Sequence, residues 1–96
     1  MGIIIHGGNA RSSAMNAMVE AKQGNFEVAE SLIEEASNEL NKAHRIQTDL
    51  IQAESRGEKT EVSLLMVHAQ DHFMNAMTVR DLAIEIIELT KKTINL

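Results

Sequence analysis

The chain's apolar and polar positions alternate at a helical period that is interrupted twice, at Gly24-Asn25 and at Ser55-Arg56-Gly57-Glu58, with no proline anywhere. Three helices are predicted. Between the breaks, Ala29, Ile33, Ala36, Leu40, Ala43, Gln47 and Leu50 advance by alternating steps of four and three, the spacing of a helix packed in a left-handed bundle seam. Only Gln47 interrupts that seam. Asn25 is placed to cap this helix, with Glu27 and Glu30 near its positive end. Glu34, Glu35, Glu39 and Lys42 fall on its outer face and read as solvated.

The third helix, expected over Thr60 to Lys92, carries apolar residues nearly all round. One seam runs Val62, Leu65, Ala69, His72, Ala76, Val79, Ala83 and Ile86, and a second runs Leu64, His68, Asp71, Asn75, Thr78 and Leu82. A third line adds Met66, Phe73, Met77, Ile84 and Ile87. Two companion helices cover only part of such a circumference, so further copies of the chain are expected to cover the rest. At about 1.5 Å per residue the second and third helices would each reach roughly 45 Å, giving an elongated bundle. In the first segment, Gly7-Gly8-Asn9 reads either as a loop capped by Asn9 or Ser12 or as a point of close helix approach. Ile3, Ile4 and Ile5 favour a helix running from the first residues.

Length and charge narrow the function. The 96 residues make one domain, near the size at which oligomerisation is a common remedy for a small core. Without cysteine the chain has neither disulfides nor a thiol nucleophile, and a cytoplasmic location is expected. A net charge of −5, scattered Lys and Arg and only two Phe argue against nucleic acid. The longest apolar run is Ile3-Ile4-Ile5, so no membrane insertion is expected.

Against this background, Val67-His68-Ala69-Gln70-Asp71-His72 sets two imidazoles and a carboxylate at i, i+4 and i+3 on one face of an apolar helix. Burying them would be costly unless they met a proton, a metal or a partner chain. Four readings compete. His72 can be a core histidine with His68 a satisfied polar residue. The two histidines can grip a transition metal, although Zn needs further ligands and His6 and His44 lie on other helices. Asp71 can face an oligomer axis, where converging carboxylates need a hard cation such as Mg²⁺ or shared protons. Finally, His68 can act as a nucleophile that accepts a phosphoryl group and passes it on. The chain lacks a Gly-rich phosphate loop and a Walker lysine, so that group would come from another protein.

The stretch His68-Ala69-Gln70-Asp71-His72-Phe73-Met74 resembles the lactose/cellobiose family of enzyme IIA components of the bacterial phosphoenolpyruvate-dependent sugar phosphotransferase system. Ala43-His44-Arg45-Ile46-Gln47-Thr48, Gly8-Asn9-Ala10-Arg11-Ser12 and Lys22-Gln23-Gly24-Asn25-Phe26 extend the likeness over essentially all 96 residues in order. The resemblance implies an all-α fold: an antiparallel three-helix bundle, residues 1–96 as a single enzyme IIA domain, assembling into a homotrimer. It implies a phosphotransferase component in which His68 is phosphorylated through Nε2 by the histidine-containing phosphocarrier protein and passes the group to a cysteine of the cognate enzyme IIB. It also implies that Asp71 meets its symmetry mates at the trimer axis, where Mg²⁺ or another divalent cation is held in a structural role. Gln70 and His72 match the motif without a role being carried over. The Ala-His-x-x-Gln-Thr and Gln-Ala-Glu stretches look closer to cellobiose or chitobiose members than to lactose members. Two alternatives remain. Gly24 to Glu30 resembles the turn of a peptide-binding tetratricopeptide hairpin, although only one such hairpin is present. A purely structural helical oligomer would explain the seams but not His68 with Asp71.

Overall fold

The structure, a computed structural model, describes residues 2–94. Three helices and no strand occur among them: α1 (Gly2–Lys22), α2 (Phe26–Ser55) and α3 (Leu64–Ile94). The molecule is elongated, 56 × 21 × 16 Å, as the helix lengths require.

Both breaks end in the same backbone device. At the end of α1, Gly24 adopts φ +84°, its N–H bonds the Ala21 carbonyl at 3.0 Å, and the Asn25 N–H bonds the Glu20 carbonyl at 2.9 Å. At the end of α2, Gly57 adopts φ +88°, its N–H bonds the Glu54 carbonyl at 3.0 Å, and the Glu58 N–H reaches the Ala53 carbonyl at 3.1 Å. These paired bonds satisfy carbonyls that a helix end leaves orphaned, and the left-handed residue they require is glycine in each case.

Two sequence expectations about helix starts are corrected. Asn25 occupies the N-cap position of α2, but its side chain makes no capping bond; its amide instead donates to Glu20 Oε2 at 2.8 Å. The third helix begins at Leu64, four residues later than expected. The Ser63 hydroxyl accepts the Met66 N–H at 3.1 Å, so a local side-chain acceptor sets the start where composition alone continued the helix to Thr60.

Packing follows from small residues on α1. Its buried stripe is Ile3, Gly7, Ala10, Ala14, Ala17 and Ala21, which lets α1 lie close to both other helices. The helices α2 and α3 touch each other far less than either touches α1. The first helix runs antiparallel to α2, with Gly2 beside Ile46, and parallel to α3, with Gly7 beside Phe73. Gly7-Gly8-Asn9 therefore lies inside a continuous helix at a point of close approach, and the loop alternative is excluded. Along α2 the predicted seam is the core face: Ala29, Ala36, Leu40 and Ala43 are buried, with Ile33 and Leu50 packed against them. Phe73, 1% exposed, is the largest side chain enclosed.

Pairs across the helices fix the register of α2 against α3: Gln47 with Gln70, Ser37 with Arg80 and Glu30 with Lys91. The outer face of α2 is not uniformly solvated as expected. Glu39 is half-buried, accepts a 2.5 Å hydrogen bond from His6 Nδ1 and lies 3.7 Å from Lys42.

The face of α3 that α1 and α2 leave uncovered is the expected second seam. Leu64 (86% exposed), His68, Asp71, Asn75, Thr78 and Leu82 all point outward. Within one chain the His-Asp pair is thus exposed, because two companion helices cover only part of the circumference of α3.

Candidate functional site

The cluster sits one to two turns into α3, where the helix period places His68, Asp71 and His72 on adjoining rows. His68 is exposed and flanked by exposed Leu64, Leu65 and Val67. One turn on, the half-buried His72 holds its ring nearly parallel to that of His68, with centroids 6.2 Å apart and planes inclined by 17°. The His72 ring in turn rests against α1 at Gly7 and Gly8. One imidazole is therefore open to solvent and the other is half-buried against α1.

Neighbouring polar groups are tied to different elements. Gln70, half-buried, accepts a 2.6 Å hydrogen bond from the Gln47 side chain on α2. Gln47, the one polar interruption of the α2 seam, is thereby explained, and its position in that seam was the signal for a cross-helix partner. Asp71 is exposed, and the Asn75 amide donates to its Oδ2 at 3.4 Å. Gly7 and Gly8 also belong to the site through His72; their adjacency within a helical segment was the signal.

The remaining histidines lie elsewhere. His44 is exposed on α2. His6 bonds Glu39, whose carboxyl that hydrogen bond holds below the usual carboxylate range, opposed by partial burial and aided by the Lys42 charge. No group of three or more His, Asp or Glu side chains able to hold a metal forms among the described residues. One chain accordingly offers a divalent cation a single Asp71 carboxylate, well short of the six or more oxygens that hard cations take. That donor set fits a cation only if carboxylates from other copies converge on it.

Chemically, the arrangement presents an accessible imidazole, a side chain able to act as a nucleophile, among exposed apolar residues. No described helix is long and apolar enough to cross a membrane.

Residues 1–91 match the family described as the lactose/cellobiose-specific IIA subunit of the PTS system. The lichenan-specific phosphotransferase enzyme IIA component of Bacillus subtilis (strain 168) is 63% identical over 90 residues, covering 94% of this chain and 82% of that protein. The crystal structure of the PTS cellobiose-specific enzyme IIA from Bacillus anthracis is similar with a TM-score of 0.94 and 53% identity, over 96% of this chain and 84% of that one. A chain from the solution structures of the IIA(Chitobiose)–HPr complex of Escherichia coli is similar with a TM-score of 0.84 and 45% identity, over 97% and 90% of the two chains.

Proposed function

Because the chain belongs to the lactose/cellobiose-specific IIA family of the sugar phosphotransferase system, we propose that it carries a phosphoryl group on His68 between two protein partners. The donor is the histidine-containing phosphocarrier protein, the partner in the solution complex of the similar chitobiose-type protein. The acceptor is a cysteine of the cognate enzyme IIB. The observation that carries this reading is the exposed His68 ring amid exposed apolar side chains, with the His72 ring nearly parallel to it 6.2 Å away.

In the first transfer the lone pair on Nε2 of neutral His68 attacks the phosphorus of the donor phosphohistidine. The donor's P–N bond breaks, its electron pair returns to the donor imidazole, and a P–N bond forms on His68. In the second, a cysteine thiolate of enzyme IIB attacks the same phosphorus, a P–S bond forms, and His68 leaves as neutral imidazole. The phosphoramidate is labile in each direction, which suits a carrier.

The uncovered α3 face supports a homotrimer in which three copies of that face pack about an axis with Asp71 near it, while His68, about 60° round the helix from Asp71, lies toward the edge of the seam where a partner protein reaches it. Three carboxylates there would repel one another, and Asp71 from each copy would hold a divalent cation such as Mg²⁺ that neutralises them, a structural role.

The reading is tested by chasing labelled phosphate from phosphoenolpyruvate, through the general phosphotransfer proteins, onto the chain and then onto a cysteine-containing enzyme IIB. His68→Ala should accept none while keeping its helix content. Labelling retained in that variant refutes the assignment.

A further inference from the structure

Five of the six residues in the buried stripe of α1, Ile3, Ala10, Ala14, Ala17 and Ala21, carry a side chain, and Gly7 carries none. Close approach of helix backbones is satisfied by alanine at the other small positions, and alanine is also the better helix former. The glycine therefore answers to something more local. A Cβ built on Gly7 would lie 3.2 Å from Cδ2 and 3.8 Å from Nε2 of His72, and 3.6 Å from the Phe73 Cα. Only the first of these is tighter than ordinary contact, so the space the methyl would need is taken by the His72 ring. A Cβ on Gly8 would meet Nε2 of the same ring at 3.4 Å.

We propose that Gly7 is a positioning residue for phosphoryl transfer: its missing side chain lets the His72 imidazole lie back against α1, where its face orients the His68 ring. The inference rests on the reading of His68 as the carrier. The chain of contacts is short. Gly7 admits the His72 ring, and that ring lies nearly parallel to the His68 ring at 6.2 Å. Within its own chain His68 is otherwise exposed, so a displaced His72 removes the one neighbouring ring that chain sets beside it and leaves fewer rotamers aimed at an incoming phosphorus. A methyl at position 7 would push the ring outward by a few tenths of an ångström.

The experiment compares Gly7→Ala, Gly8→Ala, His72→Ala and the double variant Gly7→Ala/His72→Ala in the 96-residue chain. The readouts are the rate of labelling by the phosphorylated phosphocarrier, thermal melting, and the imidazole ring-proton signals of His68 and His72. Gly7→Ala should melt at or above the wild-type temperature yet accept phosphate about tenfold more slowly, well inside the ~100-fold loss that an ångström of misplacement can cause. Both sets of ring signals should move. In the His72→Ala background the same glycine replacement should change the rate no further. Gly8→Ala, whose methyl would meet His72 only at the 3.4 Å onset of ordinary contact, is the control and should label near the wild-type rate. If Gly7→Ala melts well below wild type, His72→Ala carries the test, since removing the ring should slow labelling by a similar factor and move the His68 signals. Wild-type labelling by Gly7→Ala or by His72→Ala with unmoved His68 signals overturns the inference. So does an equal loss in the His72→Ala background, which would route the effect through Phe73 and the helix spacing. A wild-type chain that takes no phosphate on His68 removes the carrier reading and this inference with it, an outcome distinct from both.

Discussion

Replacing Leu82 by Lys should convert the proposed trimer into monomers while leaving each chain's three helices in place. Leu64, Leu65, Leu82, Ile86 and Leu89 of α3 are between 41% and 86% exposed in one chain. Fully burying such a side chain is worth about 1.5–3 kcal/mol, so covering these five, each counted by its exposed fraction, stabilises by roughly 5–9 kcal/mol per chain. Three chains together gain on the order of 14–27 kcal/mol, against about 4–15 kcal/mol of lost freedom for each of two association steps. The face therefore suffices to hold a trimer only if nearly all of it is used. Leu82 is 56% exposed, and its loss forfeits about 1–2 kcal/mol per chain. Desolvating a lysine ammonium in its place costs several kcal/mol more, three times over. Sedimentation should give about three times the 10.6 kDa chain for wild type and 10.6 kDa for Leu82→Lys. The variant's helical circular dichroism should be near wild type, because Leu82 packs on nothing within its own chain's core clusters. Its melting should no longer depend on protein concentration. A Leu82→Lys chain that stays trimeric at micromolar concentration would place the interface on another face.

Two further perturbations separate the roles of the carboxylates. Asp71→Leu should keep the trimer, lose the response of trimer stability to chelator and still accept phosphate on His68, since replacing all converging charges together by apolar groups can be neutral or stabilising; a trimeric variant that fails to accept phosphate would move Asp71 into the transfer site. Glu39, whose carboxyl is held below the usual range by the His6 hydrogen bond, contributes stability that is fully present above its unfolded-state value and is lost as the pH falls through its lowered native one. Glu39→Gln should flatten that acid-side fall in melting temperature, and an unchanged acid limb would show that other carboxylates carry it.

The parts of the fold that rest on neighbours in sequence are legible in the sequence itself. Gly24 and Gly57 mark the helix ends because the left-handed backbone there selects glycine, and the α2 seam follows from period alone. Features that depend on distant partners are not. Glu39 reads as solvated until His6, thirty-three residues away, is brought beside it. Gln47 reads as a flaw in the seam until Gln70 faces it. Asn25 has the composition of a cap, yet Glu20 competes for its amide. At the site, the spacing put His68, Asp71 and His72 on one side of α3 and the apolar count showed that two companion helices leave part of that helix open, and within one chain the row holding His68 and Asp71 is the open part. The tetratricopeptide alternative drew on the local turn at Gly24-Asn25, which α1 and α2 do form, but membership of the IIA family over residues 1–91 leaves no place for a stacked repeat.

The most direct test of the carrier assignment is the intact mass of the chain after incubation with phosphoenolpyruvate, the general phosphotransfer enzyme and the phosphocarrier protein, followed by mild acid. Wild type should gain the mass of one phosphoryl group per chain, mapped to the peptide holding His68 and lost in acid, and His68→Ala should gain nothing. An unmodified wild-type chain, or an acid-labile phosphoryl group that persists in His68→Ala, would contradict the account.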